Sequence, residues 1–213
     1  MKLFKNDRIL FLGDSITDNN REYGNDSSLG LGYPLLTSAF LSSQYPKGNF
    51  TFFNRGINGH RIDDILNRLE KDCLDLKPDV LVFLIGINDT WHNLENESFG
   101  TAEEAERFKK AYHQFLERVT QAGVQRILIL EPFVLPCPQE RMHWRKDLDQ
   151  KIAGIRYLAS EFGCEYIPLD GIFAERIITT TPSYYAEDGV HPTIAGDGVI
   201  AQEILKRCEY ISE

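Results

Sequence analysis

The sequence lacks a hydrophobic run that could cross a lipid bilayer. Its longest apolar stretch, residues 80–87, is far shorter than the roughly 20 residues that a membrane-spanning helix needs. Near the amino terminus charged residues interrupt the apolar ones, and the run Ile9–Leu12 is too short for the core of a signal peptide. The four cysteines form neither a CxxC pair nor a cluster with zinc-like spacing, as expected in a reducing compartment. These absences predict a soluble, cytoplasmic protein.

Positive charge is also scarce. Lys and Arg number 23 against 32 Asp and Glu, which leaves a formal net charge of −9. Nucleic acid and anionic membranes repel such a surface, so neither is an expected partner. With 42% hydrophobic residues and only 16 Gly and 9 Pro among 213 residues, collagen-like, low-complexity and disordered classes are excluded. No internal repeat, linker or charge block divides the chain, so we predict a single domain that spans residues 1–213.

Five short segments rich in Ile, Leu, Val and Phe are near-continuous in apolar character, which is typical of buried parallel strands. They cover residues 8–12, 50–53, 80–85, 126–130 and 165–169. The intervals between and after them have helical spacing, and the predicted helices cover residues 33–44, 62–69, 101–123, 144–162 and 193–206. Thr101 and Glu104 have the spacing of a capping box at the start of the third helix. The alternation predicts an α/β fold with an open parallel sheet between two helix layers.

Polar residues follow the strands where such a sheet binds its ligands, beyond the carboxyl ends. Ser15 follows the first strand, the segment 54–59 with two glycines follows the second, and Asn88 follows the third. Asp188 and His191 stand just before the last predicted helix. Each of these patterns alone also fits a helix cap or a plain turn. Their occurrence together and in order favours a catalytic site.

The four patterns resemble those of the SGNH hydrolases, the GDSL esterase/lipase superfamily, over essentially the whole chain. The matching segments are GDSITD at 13–18, NRGING at 54–59, GIND at 86–89 and DGVHP at 188–192. The resemblance implies a flavodoxin-like, three-layer α/β/α fold with a five-stranded parallel sheet. It implies that Ser15 is the nucleophile, His191 the general base and Asp188 the residue that orients the base. It further implies an oxyanion hole made by the N–H groups of Ser15 and Gly56 and the side chain of Asn88.

These residue types suit acyl transfer from an ester. An imidazole can take the serine proton as the hydroxyl attacks, and a carboxylate fixes the imidazole tautomer. Neutral donors such as the Asn88 amide can meet the negative charge that develops on the carbonyl oxygen. The chemistry requires neither a metal nor a cofactor. The GxSxG nucleophile elbow is absent, so the chain is not an ordinary α/β-hydrolase.

The substrate class is indicated by two longer segments. LGLGY at 29–33 and GINDTW at 86–91 resemble the intracellular acetylxylan and oligosaccharide acetylesterases of the superfamily. The resemblance implies that the small-molecule partner is an acetylated xylo-oligosaccharide. Trp91, Tyr184 and Tyr185 are candidate substrate contacts because aromatic faces can stack on sugar rings. Asp14, next to Ser15, is a further candidate. The oligomeric state stays open, and a homo-oligomer is compatible with the resemblance.

Three other functions are also compatible with this sequence. A lysophospholipase or thioesterase would use the same Ser15, Asp188 and His191. A metal-dependent phosphoesterase would instead use Asp14, Asp18, Asp188 and His191 as ligands, since carboxylates and imidazole suit divalent ions. A catalytically silent sugar-binding module could have the same fold. Covalent labelling of Ser15 by an organophosphonate separates the esterase from the last two.

Overall fold

A five-stranded parallel sheet forms the centre of the computed structural model, which describes residues 1–212. The strands of the chain are β1 (Lys2–Leu3), β2 (Arg8–Gly13), β3 (Thr51–Gly56), β4 (Val80–Leu84), β5 (Arg126–Leu130), β6 (Glu165–Ile167) and β7 (Glu209–Tyr210). The main sheet has the order β3-β2-β4-β5-β6, and every pair in it is parallel. This confirms the predicted α/β class and the flavodoxin-like strand order. The small parallel pair of β1 with β7 was not predicted, because two residues give no periodicity.

Helices cover both faces of the sheet. They are α1 (Ser15–Asp18), α2 (Tyr33–Gln44), α3 (Ile62–Asp72), α4 (Ile87–Trp91), α5 (Ala102–Gln121), α6 (Arg145–Glu161), α7 (Leu169–Arg176), α8 (Pro182–Tyr185) and α9 (Ile194–Arg207), with short 3₁₀ turns at Leu74–Leu76 and Gln139–Trp144. The five longest, α2, α3, α5, α6 and α9, confirm the predicted helices. The shorter α1, α4, α7 and α8 were not predicted. Two of these, α1 and α4, begin directly after strands and carry Ser15 and Asn88.

Some expected details of these elements are wrong. The fifth predicted strand extends to residue 169, whereas β6 ends at Ile167 and Leu169 begins α7. The second predicted strand stops at residue 53, whereas β3 continues through the buried polar residues Asn54 and Arg55. Asn54 can lie inside because its side-chain amide donates to the carbonyls of Thr17 and Leu29 at 2.7 and 2.8 Å. The capping box at α5 is only half formed. Thr101 Oγ1 accepts from the Glu104 N–H at 3.3 Å, but the Glu104 carboxylate pairs with Arg107.

Alternating residues of the central strands feed two apolar layers. Phe11 of β2 packs in the layer that includes Leu41 of α2 and Ile200 of α9, whereas Leu10 faces the layer formed with α3 and α5. Because β2 lies between β3 and β4, the carboxyl ends of these three strands meet at the point where the strand order reverses. Among residues 1–212, no helix is both long and apolar enough to cross a membrane.

Candidate active site

Ser15 is the first residue of α1, immediately beyond β2. Asp14 caps this helix, since its carboxylate accepts from the Ile16 N–H at 3.0 Å. Gly13 leaves no room for a side chain, because a Cβ there would lie 2.4 Å from the Leu84 carbonyl oxygen. The sequence Gly-Asp-Ser therefore turns the chain sharply and places the hydroxyl at the edge of the sheet.

A chain of two hydrogen bonds connects Ser15 to Asp188. Ser15 Oγ lies 2.9 Å from His191 Nε2, and His191 Nδ1 lies 2.8 Å from Asp188 Oδ2. The other carboxylate oxygen accepts from the backbone N–H groups of Val190 and His191, at 3.0 and 2.8 Å. One carboxylate thus holds both the turn and the ring. The predicted catalytic residues Ser15, His191 and Asp188 are therefore brought together in the order that acyl transfer needs.

The charges of this pair fit the same arrangement. Burial alone would raise the pKa of Asp188. The hydrogen bonds from the His191 ring and from two backbone N–H groups outweigh burial and hold this pKa well below its usual range. The hydrogen bond to Asp188 raises the pKa of His191 above its ordinary value. An ionised Asp188 accepts a hydrogen bond from the Nδ1–H group of His191, which leaves Nε2 unprotonated and able to accept the Ser15 hydroxyl proton.

Two tryptophans and an arginine support the loop that carries the pair. The Arg141 guanidinium carbon lies 4.6 Å from the ring centroid of Trp91 and 4.3 Å from that of Trp144. Arg141 Nε donates to the Asp188 carbonyl oxygen at 3.0 Å. The Trp91 ring is 6.1 Å from the His191 ring. Trp91, predicted as a substrate contact, thus packs in this support beside His191.

Asn88 stands on the other side of Ser15, at the start of α4. Its side chain is almost fully buried, and Nδ2 donates to the His60 carbonyl oxygen at 3.1 Å. The amide nitrogen carries two hydrogens, so this bond fixes the side chain and leaves one hydrogen for a ligand. Asn88 is a preorganised neutral donor.

Gly56 does not offer the free N–H that the resemblance implied, and that prediction is wrong. Its N–H donates to Asn54 Oδ1 at 2.8 Å, and a Cβ on it would lie 2.1 Å from the Asp18 nitrogen. Gly56 is therefore a glycine because α1 packs directly against it. The bond to Asn54 depends on a polar side chain inside a strand, which the apolar pattern of the sequence cannot reveal.

The available donor in this segment is Gly59. The N–H groups of Ile57, Asn58 and His60 donate to Gly13 O, Asp18 Oδ2 and Ile57 O, respectively. Over the part of the chain that the structure describes, the Gly59 N–H has no acceptor. Gly59 also has a φ of 78°, in the left-handed region that favours glycine. Gly59 precedes His60, whose carbonyl oxygen binds the Asn88 side chain. The only sign of this donor in the sequence is that Gly59 is the second glycine of the segment 54–59.

Arg68 ties this donor segment to the strands. Nη2 donates to the Gly13 carbonyl at 2.9 Å, and Nη1 donates to the Arg55 carbonyl at 2.8 Å. Nε donates to His60 Nδ1 at 3.1 Å. The guanidinium thus links the ends of β2 and β3 to the residue that holds Asn88, so it fixes the relative positions of the donors.

An open, partly polar cavity of about 650 Å³ adjoins Ser15 and His191. Its other lining residues are Ile16, Asp18, Asn19, Asn20, Arg21, Tyr23, Asn58 and Pro192. Tyr184 and Tyr185, predicted to contact the substrate, do not line it. Residues Asn19 to Tyr23 follow α1 in an irregular segment, so no helix or strand pattern marked them in the sequence.

Asp14 cannot touch a substrate either, which corrects the prediction made for it. Its side chain is fully buried, and Oδ2 has no hydrogen-bond partner among the described residues. Burial raises the pKa of Asp14 to about 7. Asp14 caps α1 beneath Ser15. An aspartate next to a candidate nucleophile fits both a helix cap and a substrate contact, so the sequence alone could not distinguish these two roles.

The four metal ligands of the phosphoesterase alternative do not form a shared site. Asp14 caps a helix, Asp188 is bound to His191, and Asp18 accepts from the Arg21 and Asn58 N–H groups. Within residues 1–212, no group of three or more His, Cys, Asp or Glu side chains is arranged to hold a metal ion.

Comparison with known proteins identifies similar enzymes along the whole chain. Residues 11–199 match the GDSL-like Lipase/Acylhydrolase family. The acetylxylan esterase of Geobacillus stearothermophilus is 30% identical, over 97% of this chain and 95% of that protein. Its crystal structure has a TM-score of 0.85 with 28% identity, over 97% of this chain and 95% of that one. A GDSL-like lipase from Parabacteroides merdae, described as putative, gives a TM-score of 0.87 with 30% identity, over 96% of each chain.

Structures of catalytic mutants of the Geobacillus enzyme are also similar to this chain. In them a serine, an aspartate or a histidine is replaced by alanine. Their TM-scores with this chain are 0.87, 0.86 and 0.86, at 27%, 28% and 28% identity. The residue types replaced in those catalytic mutants are the three that are hydrogen-bonded to one another here.

Proposed function

The chain belongs to the GDSL-like lipase/acylhydrolase family and is a carboxylic ester hydrolase, and from that premise we propose that it removes acetyl groups from xylo-oligosaccharides. One observation carries the catalytic assignment, namely the hydrogen bonds of 2.9 and 2.8 Å that join Ser15, His191 and Asp188. The substrate class is supported by the similarity to acetylxylan esterases.

In the acylation step, Ser15 Oγ attacks the carbonyl carbon of the acetyl ester while its proton passes to His191 Nε2. The carbonyl π electrons move to oxygen and give a tetrahedral intermediate. As the intermediate collapses, the bond to the sugar oxygen breaks and His191 returns the proton to that oxygen. Asp188 stays ionised and stabilises the imidazolium that exists between the two transfers.

Deacylation repeats the sequence with water. His191 takes a proton from the water as its oxygen attacks the acetyl–Ser15 carbonyl carbon. The second tetrahedral intermediate expels Ser15 Oγ, which regains its proton from His191, and acetate leaves. Both products are accounted for without a metal or a cofactor.

The negative oxygen of each intermediate needs fixed donors. We assign this role to the N–H groups of Ser15 and Gly59 and to the Asn88 side chain, with Gly59 in place of Gly56. The support is that neither N–H has an acceptor among the described residues and that Asn88 keeps a hydrogen for a ligand. Donors held in advance need no reorganisation when charge develops.

The cell location and the assembly belong to the same proposal. All four cysteines are free thiols, which supports a reducing, cytoplasmic compartment. The net charge of −9 suits neutral acetylated sugars better than polyanions. That the chain forms a single domain remains a prediction, and a homo-oligomer is compatible with the family resemblance.

A substrate panel tests the proposal. Rates are compared for acetylated xylo-oligosaccharides, 4-nitrophenyl esters of increasing acyl length and lysophospholipids. We expect acetyl esters to be hydrolysed fastest and a chelator to have no effect. Faster turnover of long acyl chains would support the lysophospholipase alternative instead. An organophosphonate should label wild-type protein and leave Ser15→Ala unlabelled, and labelling of both would reject Ser15 as the nucleophile.

A further inference from the structure

We propose that Tyr23 is the platform on which the sugar ring that carries the scissile acetyl group stacks. This inference rests on the proposed function and names the residue that recognises its substrate. Among the described residues that line the cavity, Tyr23 and His191 are the two with aromatic rings. Tyr23 is 58% exposed, although a tyrosine usually buries much of its ring.

Hydrogen bonds hold Tyr23 in place. Its hydroxyl donates to Asp18 Oδ2, and Asp18 is nearly buried at the end of α1. The same carboxylate accepts from the backbone N–H groups of Arg21 and Asn58, at 3.1 and 3.2 Å. The phenol is therefore tied to the helical turn that begins at Ser15.

A cation covers one side of the ring. The Arg21 guanidinium carbon lies 4.4 Å from the Tyr23 ring centroid, within the range of cation–π contacts. Arg21 is itself anchored, since Nε donates to the Gly56 carbonyl oxygen at 2.7 Å. Because the residue stays largely exposed with one face covered, we infer that the other face is presented to the cavity. A ring fixed in advance loses little conformational entropy when a ligand binds to it.

The surroundings of the ring match a sugar better than an acyl chain. Asn20 and Asn58 line the same cavity, and their amides can donate to and accept from hydroxyl groups. A pyranose offers apolar C–H faces to an aromatic ring and hydroxyls at its rim, so it satisfies both parts of this lining. A long alkyl chain would displace the water that is hydrogen-bonded to these polar groups, and it would offer them no hydrogen bonds in return.

The test compares two substrates on one variant. Tyr23→Ala should lower kcat/KM for an acetylated xylo-oligosaccharide by about tenfold, mainly through KM. It should lower the rate on 4-nitrophenyl acetate, which has no sugar, by no more than about threefold. Tyr23→Phe keeps the ring and loses only the bond to Asp18, so it should recover most of the oligosaccharide activity.

Tyr157→Ala is the matched control. Tyr157 has the same exposure of 58% and also carries a cation over its ring, with Lys109 Nζ at 4.1 Å from the centroid, but it lies outside this cavity on α6. Tyr157→Ala should leave the rates of hydrolysis of both substrates unchanged. Equal losses of Tyr23→Ala on the two substrates would assign Tyr23 to positioning Ser15 and overturn the proposal, and so would unchanged activity on both. Failure of the proposed function would appear separately, as wild-type protein that does not deacetylate the oligosaccharide.

Discussion

The two sides of Ser15 are built in different ways. On the base side, Asp188 and His191 are three residues apart on one turn, and their side chains remain 39% and 44% exposed. On the donor side, Gly59 and Asn88 come from segments that follow different strands and are held by Asn88–His60 and Arg68–His60 bonds. The pairing of Asp188 with His191 is local, although Arg141 and two tryptophans support its turn. The donor side instead brings together segments that are distant along the chain.

The two sides also differ in charge. The base side holds a carboxylate and an imidazole whose pKa values are shifted in opposite directions by their mutual hydrogen bond. The donor side offers neutral N–H groups to the substrate. Of the two sides, the base side should therefore respond to pH, whereas the donor side should respond mainly to changes of geometry.

The largest effect is expected where the two sides meet, at Ser15. Ser15→Ala should lower kcat by about 10⁴-fold or more, because no nucleophile remains for either side to assist. The measurement is ester hydrolysis with purified protein, and the fold is checked by thermal unfolding. Ser43→Ala, on the exposed surface of α2, serves as the control and should keep full activity. Near-normal hydrolysis by Ser15→Ala would contradict the whole assignment.

The donor side is tested by Asn88→Ala. Loss of one oxyanion donor should lower kcat by about 10²- to 10³-fold with little change in KM, because the charge it meets develops only in the transition state. Asn96→Ala changes an exposed asparagine that follows α4 and should have no such effect. A change in KM alone would show that Asn88 binds substrate without stabilising the transition state.

The base side is tested by pH. Only neutral His191 can accept the Ser15 proton, so kcat/KM should rise with pH through the raised pKa of His191, above the ordinary imidazole value of about 6.5. In Asp188→Asn this limb should move down towards about 6.5, measured by residual activity and by NMR titration of the imidazole. Asp149→Asn, on α6, is the control. An unmoved limb would show that Asp188 does not set the His191 pKa.

The same shifts affect stability in a defined window. Because the folded-state pKa of His191 is raised, its contribution to stability is fully present below the unfolded value of about 6.5 and is lost as pH rises through the folded value. The lowered pKa of Asp188 contributes above its unfolded value of about 3.9 and is lost as pH falls through the folded one.

The smallest effect distinguishes the two glycines. When an organophosphonate forms a tetrahedral adduct on Ser15, the amide proton of Gly59 should shift downfield in ¹H–¹⁵N spectra, because it gains an anionic acceptor. The amide of Gly56 should keep its position, since it is already bound to Asn54. A downfield shift at Gly56 without one at Gly59 would restore the oxyanion hole implied by the resemblance.

Sequence patterns predicted the fold and the base side better than the donor side. The predicted strand 126–130 and the predicted helix 33–44 begin and end at the same residues as β5 and α2, since both elements depend on local spacing. Asp188 and His191 share one turn, so their proximity follows from their separation along the chain. The prediction of a free donor at Gly56 was wrong because the Gly56 N–H donates to the buried Asn54 side chain. Tyr23 was not predicted, because it lies in an irregular segment and its position depends on contacts with Asp18 of α1 and with Arg21.

The last contact of the site spans most of the chain, since Ser15 and His191 are 176 positions apart. Asp197 of α9 fastens the carboxyl-terminal region to the rest by accepting from the Tyr33 N–H at 2.9 Å and from Asn19 Nδ2 at 3.0 Å. If this region opens by local unfolding, Asp188 and His191 leave together with their own bond intact and only the nucleophile is stranded. We therefore expect heat inactivation to be reversible on cooling and to begin at a lower temperature than unfolding of the sheet.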